Sequence, residues 1–422
     1  MKKVLKYILT LVIAFLVGNL LLFLVCLIPR NAVEDNCIES ASVLIERGPN
    51  FRFLGFFPCD NYTETEIINE AYSVDSTSPM YSYLTMRRCF DPQITENEME
   101  NPNGKGIELL GGGDYTKKNV DLSRELAAFL NGKVTTAVKY GRYWHGYMAL
   151  YRPLLVFFNI IQIRLIMLAI IIIMLILIFN GIKKKNGLAM AVVFLITFCL
   201  GGLISGSVQF QLFPAIFLAL LVGLLVLKNK VKFDFYFVFT YGIILNYFDY
   251  FTIPLFAICL PMIFYLLDNP QKSLKDSLFF IIKILILFFA GYALMWGAKI
   301  LLYYFVVDKE FLEHIITQFF YRSSSYSELG INVFGRCINL MFVRLLLLIY
   351  PVMLMMLFRI KYGFSMDEIK NHLYLFFLAI IPFVYLGLLV NHTSACWTFT
   401  YKDIMTSGLA LNIFMVKSRK WQ

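Results

Sequence analysis

The chain has 422 residues, of which 59% are hydrophobic and only 16% are charged. Soluble domains carry about 25% charged residues, and the apolar residues here are concentrated in long runs, so the composition excludes an ordinary soluble protein. The formal net charge of +10 does not indicate a nucleic-acid partner, because Lys and Arg stand in small clusters between the apolar runs, as topology signals do. These observations predict an integral membrane protein.

The first apolar stretch, residues 4–29, is long enough to cross a membrane and longer than the apolar core of a signal peptide. No small-x-small cleavage site follows it before Pro29, so we interpret it as a retained helix. A long polar loop and nine further apolar segments come after it. The ten predicted membrane helices cover residues 4–29, 163–182, 188–205, 211–228, 234–250, 253–268, 277–306, 335–358, 372–391 and 402–417.

Lys and Arg alternate along the connections between these helices. The short connections 206–210 and 251–252 contain neither residue. The opposite side carries six clusters: Lys2, Lys3 and Lys6; Lys183, Lys184 and Lys185; Lys228, Lys230 and Lys232; Lys272 and Lys275; Arg359, Lys361 and Lys370; and Lys417, Arg419 and Lys420. The positive-inside rule therefore predicts a multi-pass protein of the cell membrane, with both termini in the cytoplasm.

We divide the chain into a first transmembrane helix at residues 1–29, a first loop at residues 30–162 and a transmembrane helical domain at residues 163–422. The expected fold class is an all-α polytopic membrane protein with about ten transmembrane helices. Its large first loop is extracytoplasmic and contains a membrane-lying helix. Three cysteines lie in this loop, Cys37, Cys59 and Cys89. Their odd number and wide spacing allow one disulfide, but they match no disulfide framework and no metal-binding pattern.

The membrane-lying helix is expected around residues 142–152. On a helix, Arg142, His145 and Arg152 share one face, with tyrosines and Trp144 around them. An aromatic segment with a basic face favours the outer membrane surface, where its charges meet lipid phosphates. An equally weighted alternative is that these residues only anchor the interface, although histidine is not a usual anchor.

Three cations, Arg164, Lys299 and Arg344, lie in or at the edges of apolar runs, and the topology places all three in the outer half of the membrane. A charge at such a depth costs about 2.5–3.5 kcal/mol or more, so it normally faces a partner or a polar cavity. Cations at one depth suit the phosphate of a polyprenyl lipid, and arginine binds phosphate oxygens bidentately. The alternative is that they snorkel to the surface, which Lys299 does more easily than Arg344.

Few carboxylates are candidates for catalysis. Asp249 stands almost alone at the outer end of an apolar helix, where it either points into a cavity or caps the helix that starts near Pro254. Asp60 lies in the first loop, whereas Glu34 and Asp35 are interpreted as solvated. The last outer connection is unusually polar and adds His392, Tyr401, Lys402 and Asp403.

Four short elements carry a resemblance that covers most of the chain: Asp60-Asn-Tyr-Thr63, Arg142-Tyr-Trp-His-Gly146, Asp249-Tyr-Phe-Thr-Ile-Pro254 and Phe399-Thr-Tyr-Lys402. They resemble multi-pass membrane proteins of Gram-positive bacteria whose plan is similar to the GT-C superfamily of membrane glycosyltransferases. In that superfamily a carboxylate of the first outer loop activates the acceptor or binds a metal, and basic residues hold the lipid phosphate.

The resemblance implies that Asp60 and Asp249 are catalytic, and it leaves a divalent metal open. It also implies a lipid-phosphate site formed by Arg142, His145, Arg152 and Arg344. We add Arg164, His392, Tyr401 and Lys402 as further candidates at the outer mouth. The paired acidic motif of the superfamily is matched only loosely, by Glu34-Asp35.

The expected function is transfer of a sugar from a polyprenyl-phosphate donor to a cell-envelope glycan at the outer face. In this hypothesis Asp249 and Asp60 approach each other, one of them is the general base, and Arg344 pairs with Asp249. Three alternatives stay open: a flippase or exporter of lipid-linked sugars, a polysaccharide polymerase, and a non-enzymatic subunit of envelope assembly. A flippase needs a polar path across the whole membrane, whereas the expected cations cluster in its outer half.

The predicted topology can be tested with single cysteines introduced at Ser76 and Lys184. A membrane-impermeant thiol reagent applied to intact cells should label Ser76→Cys and spare Lys184→Cys, because only the first of these lies outside. Permeabilised cells, in which both should be labelled, provide the control. Labelling of Lys184→Cys in intact cells would contradict the topology.

Overall fold

The computed structural model describes residues 2–47, 52–53, 57–58, 60–90, 126, 129–132, 136–324, 332–357, 363 and 365–418. Two predictions fall partly outside these residues. Cys59 is not among them, nor is the side chain of Cys89, while Cys37 is a buried free thiol. Four of the predicted cytoplasmic cations also lie outside them: Arg359, Lys361, Arg419 and Lys420.

Helices account for most of the described chain. The first helix and the first loop contain α1 (Lys2–Cys26), α2 (Glu34–Arg47), α3 (Asn61–Ser73), α4 (Pro79–Thr85) and α5 (Met148–Leu155). The helical domain begins with α6 (Ile160–Asn186), α7 (Leu188–Leu200), α8 (Leu203–Ser207), α9 (Phe213–Leu227), α10 (Phe235–Phe248) and α11 (Pro254–Asp268). It ends with α12 (Leu274–Val306), α13 (Phe311–Ser323), α14 (Val333–Leu357), α15 (Met366–His372), α16 (Tyr374–Leu388), α17 (Val390–Ala395), α18 (Trp397–Thr400) and α19 (Ile404–Lys417).

Short 3-10 turns and strands complete the described elements. The turns are Arg30–Ala32 and Tyr401–Asp403. In the first loop, β1 (Arg52–Phe53) pairs antiparallel with β2 (Phe57–Pro58), and β3 (Arg88–Phe90) pairs antiparallel with β4 (Thr136–Val138). The register of the second pair sets Cys89 opposite Ala137. These two small ribbons are the departure from an all-α fold within the described residues.

Four helices, α1, α6, α12 and α14, are long and apolar enough to cross a membrane, or five if the bent pair α15–α16 forms one span. The prediction of an α-helical membrane protein is thus confirmed. Each of the ten predicted segments overlaps a helix, but α7, α9, α10 and α11 contain only 13 to 15 residues. Such helices rise about 20–22 Å, less than the ~30 Å hydrocarbon core. The count of ten spans therefore stays a prediction.

Local sequence signals explain where α6 begins. Asn159 and Gln162 form a reciprocal capping box, in which the Asn159 side chain accepts from the backbone N–H of Gln162 and the Gln162 side chain accepts from that of Asn159. This box satisfies N–H groups that the first turn leaves without helical partners. It starts the helix at Ile160, three residues before the predicted boundary.

Small residues allow α10 and α12 to meet at backbone distance. A Cβ at Gly242 would lie 2.1 Å from the carbonyl oxygen of Phe288, and a Cβ at Gly291 would lie 2.2 Å from that of Phe239. Close approach at small residues is the usual way in which membrane helices gain packing energy. The pair also contacts the first helix, since the Tyr247 hydroxyl of α10 donates to the Gly18 carbonyl of α1 at 2.9 Å.

The predicted membrane-lying helix over residues 142–152 is wrong, because α5 begins only at Met148. Residues 141–147 form turns, and His145 adopts the left-handed conformation at φ 54°. Tertiary contacts override the helical pattern: the Trp144 Nε1 donates to the Met295 carbonyl at 2.9 Å, and the Gly146 N–H donates to that of Tyr247 at 3.0 Å. Trp144 is buried here, not exposed at an interface.

Three buried cations fix the first loop, and two of them come from the helical domain. Arg164 of α6 forms an ion pair with Glu64 of α3 and donates to the Asn61 side chain at 3.2 Å. Lys299 of α12 donates to the Leu84 carbonyl at 3.1 Å. The third cation, Arg152, donates from its two terminal nitrogens to the carbonyls of Ala71 and Ile28. The first loop is therefore held by charge-assisted hydrogen bonds made inside the protein.

We predict that Arg164→Met destabilises the protein by about 3–5 kcal/mol, because it leaves the Glu64 carboxylate buried without its cation. The double variant Glu64→Gln/Arg164→Met should recover most of this loss. The measurement is equilibrium unfolding of the purified protein in detergent. Lys185→Met, which removes a partly exposed pair with Asp268, is the control and should cost less than about 1 kcal/mol. An Arg164→Met variant as stable as this control would contradict the assignment.

Candidate functional site

A group of polar side chains gathers where the start of α3, the connection 201–211 and the 3-10 turn Tyr401–Asp403 meet beside α14. We call it the Asp60–Lys402 cluster, and it consists of Asp60, Ser205, Gln211, Arg344, Tyr401 and Lys402. Four of these residues are candidates named from the sequence: Asp60, Arg344, Tyr401 and Lys402. The fold thus brings together residues that are separated by more than three hundred positions.

The carboxylate of Asp60 has a fixed orientation. Its Oδ1 caps α3 by accepting from the N–H groups of Tyr62 at 3.2 Å and Thr63 at 3.5 Å. Its Oδ2 accepts from the Thr63 hydroxyl at 2.6 Å and from the Gln211 side chain at 3.3 Å. Burial raises the pKa of Asp60, and the hydrogen bonds from Thr63 oppose that shift only in part. A positioned carboxylate with a raised pKa is suited to take up a proton.

Lys402 supplies a fully buried cation to the cluster. Its charge interacts mainly with Tyr401 and Arg344 and more weakly with Asp60. Gly206 makes room for the lysine, since a Cβ there would lie 2.5 Å from the Lys402 Cε. A larger residue at position 206 would have to displace the ammonium group or the connection that carries it.

Arg344 is a half-buried member of the cluster. It lies eleven residues after Val333 on α14, about 16 Å along the helix axis, so its charge is far from the helix end. Its guanidinium carbon lies 3.8 Å from the centroid of the Tyr401 ring. Among the described residues its Nε finds no hydrogen-bond partner. A cation at this depth with an unused N–H group favours an anionic ligand.

The charges of the cluster also suit an anion. It contains one carboxylate, Asp60, and two cationic side chains, Lys402 and Arg344. Phosphate oxygens match both ammonium and guanidinium groups. The cluster can therefore hold a phosphate group next to a carboxylate that accepts protons.

Asp249 belongs to a different part of the structure. It accepts from the N–H groups of Thr252 at 3.2 Å and Ile253 at 3.4 Å, from the Thr252 hydroxyl at 2.5 Å, and from the Tyr292 hydroxyl at 2.7 Å. These partners include neither Asp60 nor Arg344. Asp403 accepts from the Phe256 N–H at 2.5 Å and so caps the first turn of α11. Asp249 instead fixes the turn at Thr252 and Ile253 that leads into this helix.

His145 lies in a buried hydrogen-bond network of the first loop. Its Nδ1 contacts the Tyr147 hydroxyl at 2.7 Å, the Tyr250 hydroxyl at 3.0 Å and Glu70 at 3.3 Å, and its Nε2 contacts the Tyr140 carbonyl at 2.7 Å. Both ring nitrogens thus have protein partners. The network holds the loop at its left-handed residue, which is a structural role and not contact with a lipid phosphate.

Arg142 and His392 occupy a second polar group, on the side of α13. Arg142 donates to the Gln318 side chain at 2.9 Å, and Arg322 lies 2.5 Å from the Nδ1 of His392. The charges of Arg142 and Arg322 both act on His392. Arg142 and His392 thus belong to the group beside α13, while Arg152 and Arg164 have the partners in the first helix and the first loop described above.

Sequence reasoning missed Gln211, Ser205 and Glu64. Residues 201–211 run Gly-Gly-Leu-Ile-Ser-Gly-Ser-Val-Gln-Phe-Gln between two apolar runs, and this density of small and polar residues was the available signal. Glu64 gave no signal of its own, because it stands among other acids of a polar loop.

Within the described part of the chain, no group of three or more His, Cys, Asp and Glu side chains is arranged to hold a metal ion. No protein-family model, curated protein or solved structure matches this chain.

The hydrogen bonds that Asp249 accepts predict how its substitution changes the free energy of unfolding. Asp249→Ala should lower it by about 1–3 kcal/mol, because it leaves buried N–H groups without partners. Asp249→Asn should recover most of this loss, since the asparagine side-chain oxygen can accept the same hydrogen bonds from the backbone, as it does at helix starts. Asp276→Ala at the exposed start of α12 is the control. Unfolding in detergent measures all three, and an asparagine variant as unstable as the alanine variant would show that the charge itself is required.

Proposed function

We propose that this protein is a membrane glycosyltransferase, which moves a sugar from a polyprenyl-phosphate donor to a glycan acceptor of the cell envelope. The observation that carries the proposal is the Asp60–Lys402 cluster, in which a fixed carboxylate lies beside a buried lysine and a half-buried arginine with an unused N–H group. A polyprenyl phosphate combines an apolar chain, suited to the membrane, with an anionic head suited to these cations. The resemblance to GT-C enzymes is consistent with this assignment.

Each residue has a defined task in the proposed reaction. Asp60 accepts the proton of the acceptor hydroxyl as that oxygen attacks the sugar. Lys402 and Arg344 stabilise the negative charge that develops on the leaving phosphate. Gln211 and Thr63 keep the Asp60 carboxylate in position through their hydrogen bonds at 3.3 Å and 2.6 Å. Asp249, in contrast, supports the site only through the start of α11.

The proposal includes the orientation of the chain. The first loop and the cluster face the outside of the cell, and both termini are cytoplasmic, as the alternation of Lys and Arg indicates. Polyprenyl-phosphate sugars presented at the outer face would then reach the cluster laterally through the membrane. Arg344 and Asp60 are half-buried, whereas Lys402 is fully buried, so the first two are the members that a lipid would meet first.

The buried cations favour a transferase over a flippase or exporter of lipid-linked sugars. A flippase needs polar groups along a path across the membrane. Arg152, Arg164 and Lys299 do not line such a path, because their side chains are bound to groups of the first helix and the first loop. A polysaccharide polymerase would use the same lipid donors and the same cluster, so it differs from the leading proposal in its acceptor. A non-enzymatic assembly subunit would have no use for a positioned base.

We predict that Lys402→Met and Arg344→Gln each weaken binding of undecaprenyl phosphate at least about tenfold, because each removes one charge-assisted contact worth roughly 1.5–3 kcal/mol. Asp60→Asn should keep this binding but abolish sugar transfer. Native mass spectrometry of the detergent-solubilised protein measures binding, and complementation of a deletion strain measures transfer to the envelope glycan.

The matched controls are Lys283→Met and Asp35→Asn. Each removes a charge of the same sign and type from an exposed side chain that is not part of the cluster. Both should behave as the wild type. Full complementation by Asp60→Asn would remove the proposed base. Binding that is lost in Lys402→Met together with undiminished complementation by Asp60→Asn would favour a flippase instead.

A further inference from the structure

Two cations flank the ring of Tyr401. The Arg344 guanidinium carbon lies 3.8 Å and the Lys402 ammonium nitrogen lies 4.5 Å from the ring centroid. The phenol oxygen faces Gly202, where a Cβ would lie 2.6 Å from it, and it forms a hydrogen bond with Ser205. Gly202 adopts the left-handed conformation at φ 75°, which glycine allows at no cost. The phenol is thus held in one orientation between two positive charges.

The surroundings of Tyr401 favour its ionised form. Burial opposes ionisation, but the charges of Lys402 and Arg344, together with hydrogen bonds from Ser205 and Arg344, lower the pKa of the Tyr401 phenol below its usual value. Tyr140 of the first loop provides a contrast. Burial raises its pKa, although Arg142, 5.0 Å from its ring centroid, and Arg322 both oppose that shift. The cations at Tyr401 lie closer, at 3.8 and 4.5 Å from the ring centroid.

We propose that Tyr401 is a catalytic residue, which donates its phenolic proton to the phosphate group as that group leaves the sugar. The inference rests on the proposed transferase function and goes beyond it by assigning a general acid. A phenol between Lys402 and Arg344 is next to the same cations that would hold the phosphate. It therefore lies within reach of the oxygen on which charge develops.

The proton balance of the step involves three residues of the cluster. The acceptor oxygen forms a bond to the anomeric carbon, and the bond from that carbon to the phosphate oxygen breaks, with its electron pair going to the phosphate. Asp60 takes the proton of the acceptor, and Tyr401 gives one proton to the phosphate. Lys402 interacts with both Asp60 and Tyr401, so it can pass the proton from Asp60 back to the Tyr401 phenolate and reset the site.

The test begins with the ultraviolet absorbance of tyrosinate, followed as the pH of the purified protein is raised. The wild type should show one tyrosine that ionises at lower pH than the others. This phase should be absent in Tyr401→Phe and should move to higher pH in Arg344→Gln, which removes one flanking charge. Tyr81→Phe removes an exposed tyrosine with Arg87 at 5.6 Å from its ring centroid, and it should leave the phase unchanged.

Kinetics of sugar transfer supply the second readout. Tyr401→Phe should lower kcat by about 100-fold or more, as expected for loss of a general acid, and it should leave the KM of the lipid donor nearly unchanged, because Lys402 and Arg344 remain. Two results would overturn the role of Tyr401 alone: sugar transfer by Tyr401→Phe at the wild-type rate, or an active transferase in which no tyrosine ionises at lower pH than the others. If one tyrosine does ionise at lower pH but the protein binds no undecaprenyl phosphate, the proposed function is overturned, and the proton transfer with it.

Discussion

Inside a membrane protein, a charged group is stable only if another group provides a partner, and in this chain the first loop provides several of them. The ion pair between Arg164 and Glu64 is the strongest case, because both side chains are fully buried. Lys299 donates to a backbone carbonyl of the same loop, so these two contacts join the loop to the helical domain. Arg152 in turn joins α5 to Ala71 and to the end of the first helix at Ile28.

The junction uses Arg164, whereas Arg344 and Lys402 belong to the cluster that contains Asp60, itself the N-cap of α3. Because Glu64 lies in the first turn of α3, the residue that fixes the loop and the proposed base stand four positions apart at the start of the same helix. A shift of this helix would alter the ion pair and the site together.

The sequence predicted the helical segments well, since long apolar runs dominate the local signal. It failed at residues 142–147, where a helical arrangement of basic and aromatic residues suggested a surface helix. There, hydrogen bonds from Trp144 and Gly146 to α12 and α10 decide the conformation, and no local pattern reveals such partners. Helix length was a further limit, because α7 and α10 are apolar throughout but only 13 and 14 residues long.

The site was predictable to the extent that polar residues in apolar segments are conspicuous. Arg344, Tyr401 and Lys402 stood out for this reason, and they do meet in space. Asp60 was named together with Asp249, yet Asp249 binds the turn before α11 and the Tyr292 hydroxyl, and only the tertiary structure separates the two carboxylates. Arg142, His145 and Arg152 were assigned to phosphate from their pattern alone, whereas their actual partners are protein groups of distant segments.

The central claim is that Lys402 and Arg344 bind the phosphate of a polyprenyl lipid. Solid-state nuclear magnetic resonance tests it most directly, by detecting dipolar coupling between the phosphorus of bound undecaprenyl phosphate and the side-chain nitrogens of ¹⁵N-labelled lysine and arginine. We expect coupling to a lysine that disappears in Lys402→Met, and coupling to an arginine that disappears in Arg344→Gln. Coupling that survives both substitutions and disappears in Arg142→Gln would place the phosphate in the polar group beside α13 and contradict the account.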